Sequence, residues 1–139
     1  MHFCQIVSGE LPASIVHRDE LRTCFMDTQP VNPGHVLVVP NQHVAHLRDM
    51  PEDVGMHVFR MAQRMSEALR QTDLRCEGVN LFLADGEAAM QEIPHVHLHV
   101  FPRFRGDGFG LKFGDHYFNK PDRTQLDSAA RKLAGVFRR

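Results

Sequence analysis

The chain has 139 residues, a usual length for one domain, and its hydrophobic share of 42% is enough to build a single core. The formal net charge of -1 gives no global field that would attract nucleic acid or an anionic membrane, so we expect neither as a partner. With no leader, no apolar run near the roughly 18 residues of a membrane span, and no CxxC pair among its cysteines, we expect a cytoplasmic protein.

The first elements predicted along the chain are a hairpin and a buried strand. Residues 13–26 contain two short runs of β-branched or aromatic character around a polar turn, as in a hairpin. After the turn-forming Pro33 and Gly34, residues 36–39 form a continuous apolar run typical of a buried strand. His35 is therefore predicted at the entrance of this strand.

A long amphipathic helix is predicted for residues 51–71, because its apolar positions repeat along one helix face. These positions are Val54, Val58, Met61, Met65 and Leu69. Residues 79–84 and 94–102 read as two further strands, and residues 103–120 as a loop. A final helix is indicated by apolar residues on one face, namely Leu126, Ala130, Leu133 and Phe137.

Together these elements predict an α+β fold with a mostly antiparallel sheet, one long central helix and a C-terminal helix. We expect a single domain over residues 1–139, with a core at about 3–105 followed by a loop and helix at 106–139.

Three histidines at two-residue spacing are the most informative feature of the chain. In a strand, His95, His97 and His99 would project from one face, with the outer two about 13 Å apart. One zinc ion with Zn–N bonds of about 2.0–2.1 Å could collect two of them but not all three. A solvent-facing polar strand is a further interpretation, but any polar residue would serve there, so it does not explain why all three residues are histidine. A catalytic row fits best, because histidine supplies a neutral, nucleophilic ring at physiological pH.

The residues around this row indicate an anionic target. Gln91 precedes the row, His35 could reach it from another strand, and Arg103 follows it, together with Arg105 and Lys112. These side chains are donors for phosphate oxygens, although exposed charged residues are more often simply solvated. An imidazole that attacks phosphorus divides one difficult displacement into two easier ones.

The segment HVHLHVF (95–101) resembles the His-φ-His-φ-His-φ-φ signature of the histidine triad (HIT) superfamily of nucleotide hydrolases and transferases. Further stretches resemble the family in the same order: FCQIVSGELPASIV (3–16), FMDTQPVNPGHVLVVPNQH (25–43) and NLFLADGEAAMQ (80–91). The resemblance implies one HIT-like domain, an antiparallel sheet with a long helix, and usually a homodimer.

The resemblance also implies roles for the polar residues. His97 would be the nucleophile that accepts a nucleoside monophosphate from the α-phosphate of a dinucleoside polyphosphate or nucleoside phosphoramidate. His99 and His35 would contact phosphate or support the row, His95 would hold the network from the other side, and Gln91 would contact phosphate or the leaving group. No cofactor would be required for catalysis.

Further positions that match the family would bind the rest of the nucleotide. Asp27 would bind ribose hydroxyls, with a turn aspartate as the alternative, and Arg103 would meet phosphate. The expected base pocket consists of apolar residues that could equally be core: Phe3, Ile6 and Phe25.

The branch of the family stays open. Asp85, followed by glycine, resembles the diadenosine-polyphosphate-cleaving branch and would contact substrate. Met90 stands where the family usually has glycine, and Glu92 where the phosphoramidase branch often has serine. The aromatic-rich segment 104–118 matches no substrate loop.

A structural zinc ion is a further expectation from the resemblance. Some bacterial members bind zinc through a CxxC pair and two histidines. Cys4, His43 and His95 match three of these positions, while Met1 replaces the first cysteine and His2 lies beside it. The site would then comprise Cys4, His43 and His95, with His2 as a candidate fourth ligand.

Two rival functions remain open from the sequence. One is a metal-dependent hydrolase that uses the HxH pair, and the other is a non-catalytic nucleotide-binding module of the same fold.

Overall fold

The structure, a computed structural model, describes residues 2–138. The helices in this range are α1 (His2–Ser8), α2 (Glu52–Gln71) and α3 (Arg123–Phe137). The strands are β1 (Ile15–Arg18), β2 (Arg22–Met26), β3 (Val36–Pro40), β4 (Gly78–Phe82) and β5 (Leu98–Arg103). Short 3-10 turns lie at Leu47–Asp49, Glu87–Ala89 and Asp115–Phe118.

The strands form one sheet in the order β1-β2-β3-β5-β4, and every neighbouring pair is antiparallel. The predicted α+β class with an antiparallel sheet and a long helix is confirmed. β3 and β5 lie side by side in its centre, with Leu37 opposite His99 and Val38 opposite Leu98. The turn that precedes β3 therefore lies near β5, the strand that carries His99.

One face of the sheet is covered by α2, which packs against β3 and β5. The predicted helix face is the one that is buried: Val58, Met61 and Leu69 are fully buried, and Met65 packs against them from the edge. The sheet contributes alternate residues to this core, among them Val38 and Val100. Because the side-chain period of a strand is two, the intervening residues of β3 and β5 point to the opposite face.

The opposite face carries a smaller apolar cluster of Phe3, Ile6, Phe25, Leu37 and Val39, two of which come from α1. The sequence pattern did not reveal α1, because seven residues span fewer than two turns and leave no periodicity to detect. α1 therefore lies on the same face of the sheet as the side chain of His99.

β5 begins at Leu98 rather than at Pro94, so the predicted strand 94–102 is too long at its start. His95 and His97 lie in the irregular segment before the strand. The reason is local: Pro94 has no N–H to donate, and the backbone N–H of His95 bonds to the Ile93 carbonyl. The His95 carbonyl accepts from the His97 ring, so this segment cannot complete a ladder.

The chain divides into two compact units, residues 1–108 and 109–139. In the second unit α3 begins with a capping box, in which Asp122 accepts from the backbone of Gln125 while the Gln125 side chain accepts from the backbone of Asp122. This confirms the predicted last helix, but none of the residues of α3 is buried. A single domain over the whole chain stays a prediction. No helix among residues 2–138 has the length and apolar character needed to cross a membrane.

Gly34 connects the turn to β3 with a backbone that an L side chain rarely adopts, at a φ of 105°. A Cβ atom placed there would lie 3.0 Å from Leu69 Cδ2 and 3.2 Å from Pro102 Cγ. Glycine is therefore required both by conformation and by space, directly before His35.

Replacing Gly34 with alanine should lower the free energy of unfolding by about 2 kcal/mol, because it adds backbone strain and a close contact inside the core. Denaturant unfolding measures the change. Gly78→Ala is the matched control, since a Cβ atom there meets nothing within 4 Å. Equal stability of the two variants would contradict this reading of the turn.

Candidate functional site

A cavity of about 550 Å³ opens on the face of the sheet that carries α1. Its wall includes four histidines, namely His2, His35, His97 and His99. An apolar part of the wall is formed by Phe3, Ile6 and Phe25, which are each at most 5% exposed. The cavity thus brings the predicted nucleophile, its predicted support and the predicted base pocket to one place.

His97 has a defined tautomer. Its Nδ1 atom lies 2.7 Å from the backbone carbonyl oxygen of His95, which can only accept a hydrogen bond. The proton of the neutral ring is therefore on Nδ1, and Nε2 keeps its lone pair. The ring is buried, and the ring of Phe3 packs edge-on at 5.1 Å between centroids. The ring of His97 is therefore held in one orientation, with Nε2 as the nitrogen that keeps a lone pair.

His35 and His99 form a hydrogen-bonded pair whose tautomers follow from the backbone. The Val31 N–H donates to His35 Nδ1 at 3.0 Å, so His35 carries its proton on Nε2. That Nε2–H donates to His99 Nδ1 at 2.8 Å, which leaves the proton of neutral His99 on Nε2. The pair ends in an N–H donor beside His97, whose ring centroid is 5.0 Å from that of His99.

Burial keeps this pair neutral. Desolvation lowers the pKa of His99 to about 4, the neighbouring rings of His97 and His35 act in the same direction, and Asp27 opposes them. Desolvation also lowers the pKa of His35, against the opposing charge of Asp27. At neutral pH both rings therefore act as hydrogen-bonding groups without a full positive charge.

Asp27 lines the cavity and uses its two oxygens differently. Oδ1 accepts from the Gln29 N–H at 2.9 Å, which is the turn role considered for this residue. Oδ2 lies 3.5 Å from His35 Nε2 and 3.9 Å from His99 Nδ1. The second oxygen is thus directed at the histidine pair, within the same cavity as the apolar wall.

His95 does not line the cavity, and its side chain belongs to a second cluster. His95 Nε2 donates to the Pro40 carbonyl at 2.8 Å, so Nδ1 has a free lone pair. This lone pair faces Cys4 and His43, and the three potential ligand atoms lie within 4.8 Å of one another. Desolvation lowers the pKa of His95, which favours the neutral form that binds metals.

The distances in this cluster fit a zinc ion. In a tetrahedral site with bonds of about 2.0–2.3 Å, neighbouring ligand atoms lie about 3.3–3.6 Å apart. The Nδ1 atoms of His43 and His95 are 3.4 Å apart, and Cys4 Sγ lies 3.6 Å and 3.8 Å from them. His2, the candidate fourth ligand, lines the cavity instead, and Met1 is outside the described residues.

Gln91 and Asp85 stabilise the segment that leads to the histidines. The Gln91 side chain donates to the carbonyl of Ala45 at 2.7 Å and accepts from the Gly86 N–H at 2.8 Å. Asp85 accepts from the Leu47 N–H at 3.2 Å. Neither lines the cavity, so these contacts favour a positioning role over the predicted substrate contact.

Arg103 also lies away from the cavity wall. Its guanidinium forms a two-point ion pair with Asp107, at 2.6 Å and 2.9 Å, and donates to Asn80 at 2.7 Å. Asp107 in turn accepts from the buried Asn32 side chain at 2.9 Å. This network favours a structural role for Arg103 at the end of β5 rather than the predicted phosphate contact.

Two residues that were noted only as departures from the family, Met90 and Glu92, line the cavity. Among the described residues, Met90 is the one non-glycine with a positive φ, 72°, so it keeps the left-handed backbone that glycine favours. Glu92 is exposed at the cavity. The sequence signal that could have assigned them to the site is that they directly flank Gln91, itself a predicted site residue.

The fold and the site together define a class: an antiparallel sheet that presents one oriented histidine and a neutral histidine pair in a cavity with an apolar wall. The HIT domain family model matches residues 8–106, most of the first unit. The chain belongs to the HIT family.

Relatives extend over nearly the whole chain. An uncharacterized HIT-like protein of Methanocaldococcus jannaschii is 40% identical, over 96% of this chain and 98% of the relative. An adenosine 5′-monophosphoramidase of Saccharomyces cerevisiae is 31% identical, over 81% of this chain and 67% of the relative. A further match is the crystal structure of a zinc-bound histidine triad family protein from Mycobacterium smegmatis, whose sequence is 36% identical. The match covers 92% of this chain and 96% of that chain, with a TM-score of 0.76.

Proposed function

We propose that this protein is a nucleotide hydrolase or nucleotidyl transferase that cleaves at the α-phosphate of a nucleotide derivative through a covalent intermediate on His97. The observation that carries the proposal is the tautomer of His97, whose Nδ1–H is held by the His95 carbonyl at 2.7 Å within the cavity wall. The yeast relative named as an adenosine 5′-monophosphoramidase supports a nucleotide substrate.

The residues of the cavity suggest how the steps proceed. The Nε2 lone pair of His97 forms a bond to the α-phosphorus, while the leaving group departs with the electrons of its bond and takes up a proton. Water then attacks the same phosphorus, releases the nucleoside monophosphate and a proton, and restores the imidazole. The Nε2–H of His99 would donate to a phosphate oxygen, where charge develops in the transition state.

The rest of the nucleotide would occupy the remaining wall of the cavity. The base would pack against the apolar side chains of Phe3, Ile6 and Phe25, which already lie together beside His97. Ribose hydroxyls would bind the Asp27 oxygen that is not used by the turn. A homodimer and a cytoplasmic location belong to the same proposal: the homodimer rests on the family resemblance, and the location rests on the composition and the cysteine pattern of the sequence.

The rival of a metal-dependent hydrolase is less well supported. Among the described residues, neither cluster suited to a metal ion unites His97 with His99. His97 Nδ1 is bound to the His95 carbonyl, and His99 Nδ1 is bound to His35. One of the two clusters lies at His95, outside the cavity wall, and the other, Asp27 with His35 and His99, lines the cavity. In that second cluster His35 Nε2 and His99 Nδ1 are already engaged in a hydrogen bond with each other.

Replacing His97 with alanine should lower kcat for AMP phosphoramidates by about a thousandfold or more, because the attacking nitrogen is lost. The affinity for AMP, measured by calorimetry, should change little. His57→Ala on α2 is a control that removes a histidine outside the cavity. Turnover by His97→Ala at the wild-type rate would refute the assignment, and binding without turnover by the wild type would favour the non-catalytic rival.

A structural zinc ion is a second part of the proposal, carried by the fit of Cys4, His43 and His95 to tetrahedral spacing. When bound, zinc would cross-link α1 to the segment before β5. It has no role in the steps at His97.

Metal analysis should find zinc in the purified protein, and Cys4→Ser should lower both the zinc content and the melting temperature, by about 5 °C. Cys76→Ser is the matched control, since Cys76 is another free, partly buried cysteine. Zinc content that is equal in the two variants would contradict the site. Loss of turnover on chelation without loss of the fold would instead favour the metal-dependent rival.

A further inference from the structure

The charge of the cavity wall restricts the substrates that it can hold. Within residues 2–108, the charged side chains that line the cavity are acidic, Asp27 and Glu92, and no lysine or arginine lines it. Its buried histidines supply no lasting positive charge, because burial lowers the pKa of His35 and of His99. A leaving group made of several phosphates would enter this cavity without a cation to balance it.

The two carboxylates have different surroundings. Asp27 is engaged by the Gln29 N–H and lies beside His35. Glu92 is exposed and has no hydrogen-bond or ion-pair partner within the described part of the chain. Glu92 is therefore the carboxylate that is free to meet a charge on a ligand.

The backbone around Glu92 is well anchored. The side chain of Gln91 bonds to the carbonyls of Ala45 and Ile93 and to the Gly86 N–H, and Ile93 packs against the apolar cluster. Glu92 lies between these two fixed residues. Its carboxylate is consequently carried at the cavity on a rigid support, rather than on a loose loop.

The apolar wall and Glu92 line the same cavity and differ in exposure, since the apolar side chains are buried and Glu92 is exposed. Phe3 and Phe25 offer the surface that suits a base, and His97 defines where the phosphorus is attacked. In-line attack directs the leaving group away from the nucleophile, so a long leaving group would extend toward the exposed part of the lining. Met90 and Glu92 are exposed residues of that lining.

We propose that Glu92 is a specificity-determining residue that favours leaving groups with a positive charge. The preferred substrates are then nucleoside phosphoramidates whose leaving amine carries a second, cationic amine. Phosphoramidates with a neutral leaving amine are poorer substrates for this protein. Dinucleoside polyphosphates, whose leaving group carries several negative charges, are the poorest. This inference rests on the proposed function and names its substrate class.

Three substrates of different leaving-group charge test the inference: the AMP phosphoramidates of cadaverine and of n-pentylamine, and diadenosine tetraphosphate. The first two differ by one ammonium group on chains of similar shape. The full-length wild type should show a kcat/KM about two- to fivefold higher for the cadaverine compound, as expected for one exposed charge pair. Added salt should reduce this ratio.

Glu92→Gln should bring the ratio of the two phosphoramidates to about one, and Glu92→Lys should reverse it and raise kcat/KM for diadenosine tetraphosphate. The matched control is Glu87→Gln, which removes the same charge from an exposed residue of the same segment that does not line the cavity. It should keep the wild-type ratio.

Equal kcat/KM of the wild type for the two phosphoramidates would overturn the inference and leave the proposed function intact. The inference would also be overturned if Glu92→Gln kept the wild-type ratio of the two kcat/KM values, or if Glu87→Gln lost that ratio to the same extent as Glu92→Gln. Absence of turnover of all three substrates by the wild type would refute the proposed function and the inference together.

Discussion

The hydrogen bond from His97 Nδ1 to the His95 carbonyl, at 2.7 Å, is the interaction on which the site depends. It occupies a carbonyl that a longer strand would have paired with its neighbour, and β5 accordingly begins at Leu98, directly after His97. It also assigns the ring proton to Nδ1, so Nε2 is the nitrogen with a lone pair. One local contact therefore sets the strand boundary, the orientation of the His97 ring and the nitrogen that keeps a lone pair.

His95 connects two clusters through different atoms. Its backbone carbonyl orients the His97 ring, while its side chain is bound by Pro40 and faces Cys4 and His43. A metal ion at that cluster would steady the His95 backbone from behind the cavity, without contact with substrate. This arrangement would allow the proposed structural ion and the proposed catalytic histidine to share one short segment and keep separate functions.

Features with a repeating pattern were predictable from the sequence. The stripe of α2 and the apolar run of β3 follow from the periods of helix and strand. The expected row of three histidines on one strand is not formed, because His95 and His97 precede β5 and the His95 side chain does not line the cavity. α1 was missed because seven residues carry no detectable period. The late start of the histidine strand was missed because a side-chain bond to a backbone carbonyl leaves no trace in a hydrophobicity pattern.

Residue roles were harder to predict than elements, since charge alone does not reveal a partner. Arg103 has the chemistry of a phosphate ligand, yet Asp107, four residues later, forms a two-point ion pair with it. Glu92 was visible only as a departure from a resemblance, and its place at the cavity depends on the bonds of the Gln91 side chain. Such tertiary pairings decide which polar residues remain available to a ligand.

The central claim is most directly tested by NMR of the imidazole nitrogens in protein with isotope-labelled histidine at neutral pH. The account predicts that His97 carries its proton on Nδ1, whereas neutral His35 and His99 carry theirs on Nε2. A proton on Nε2 of His97 in the free protein would remove the lone pair from the attacking nitrogen and would contradict the account.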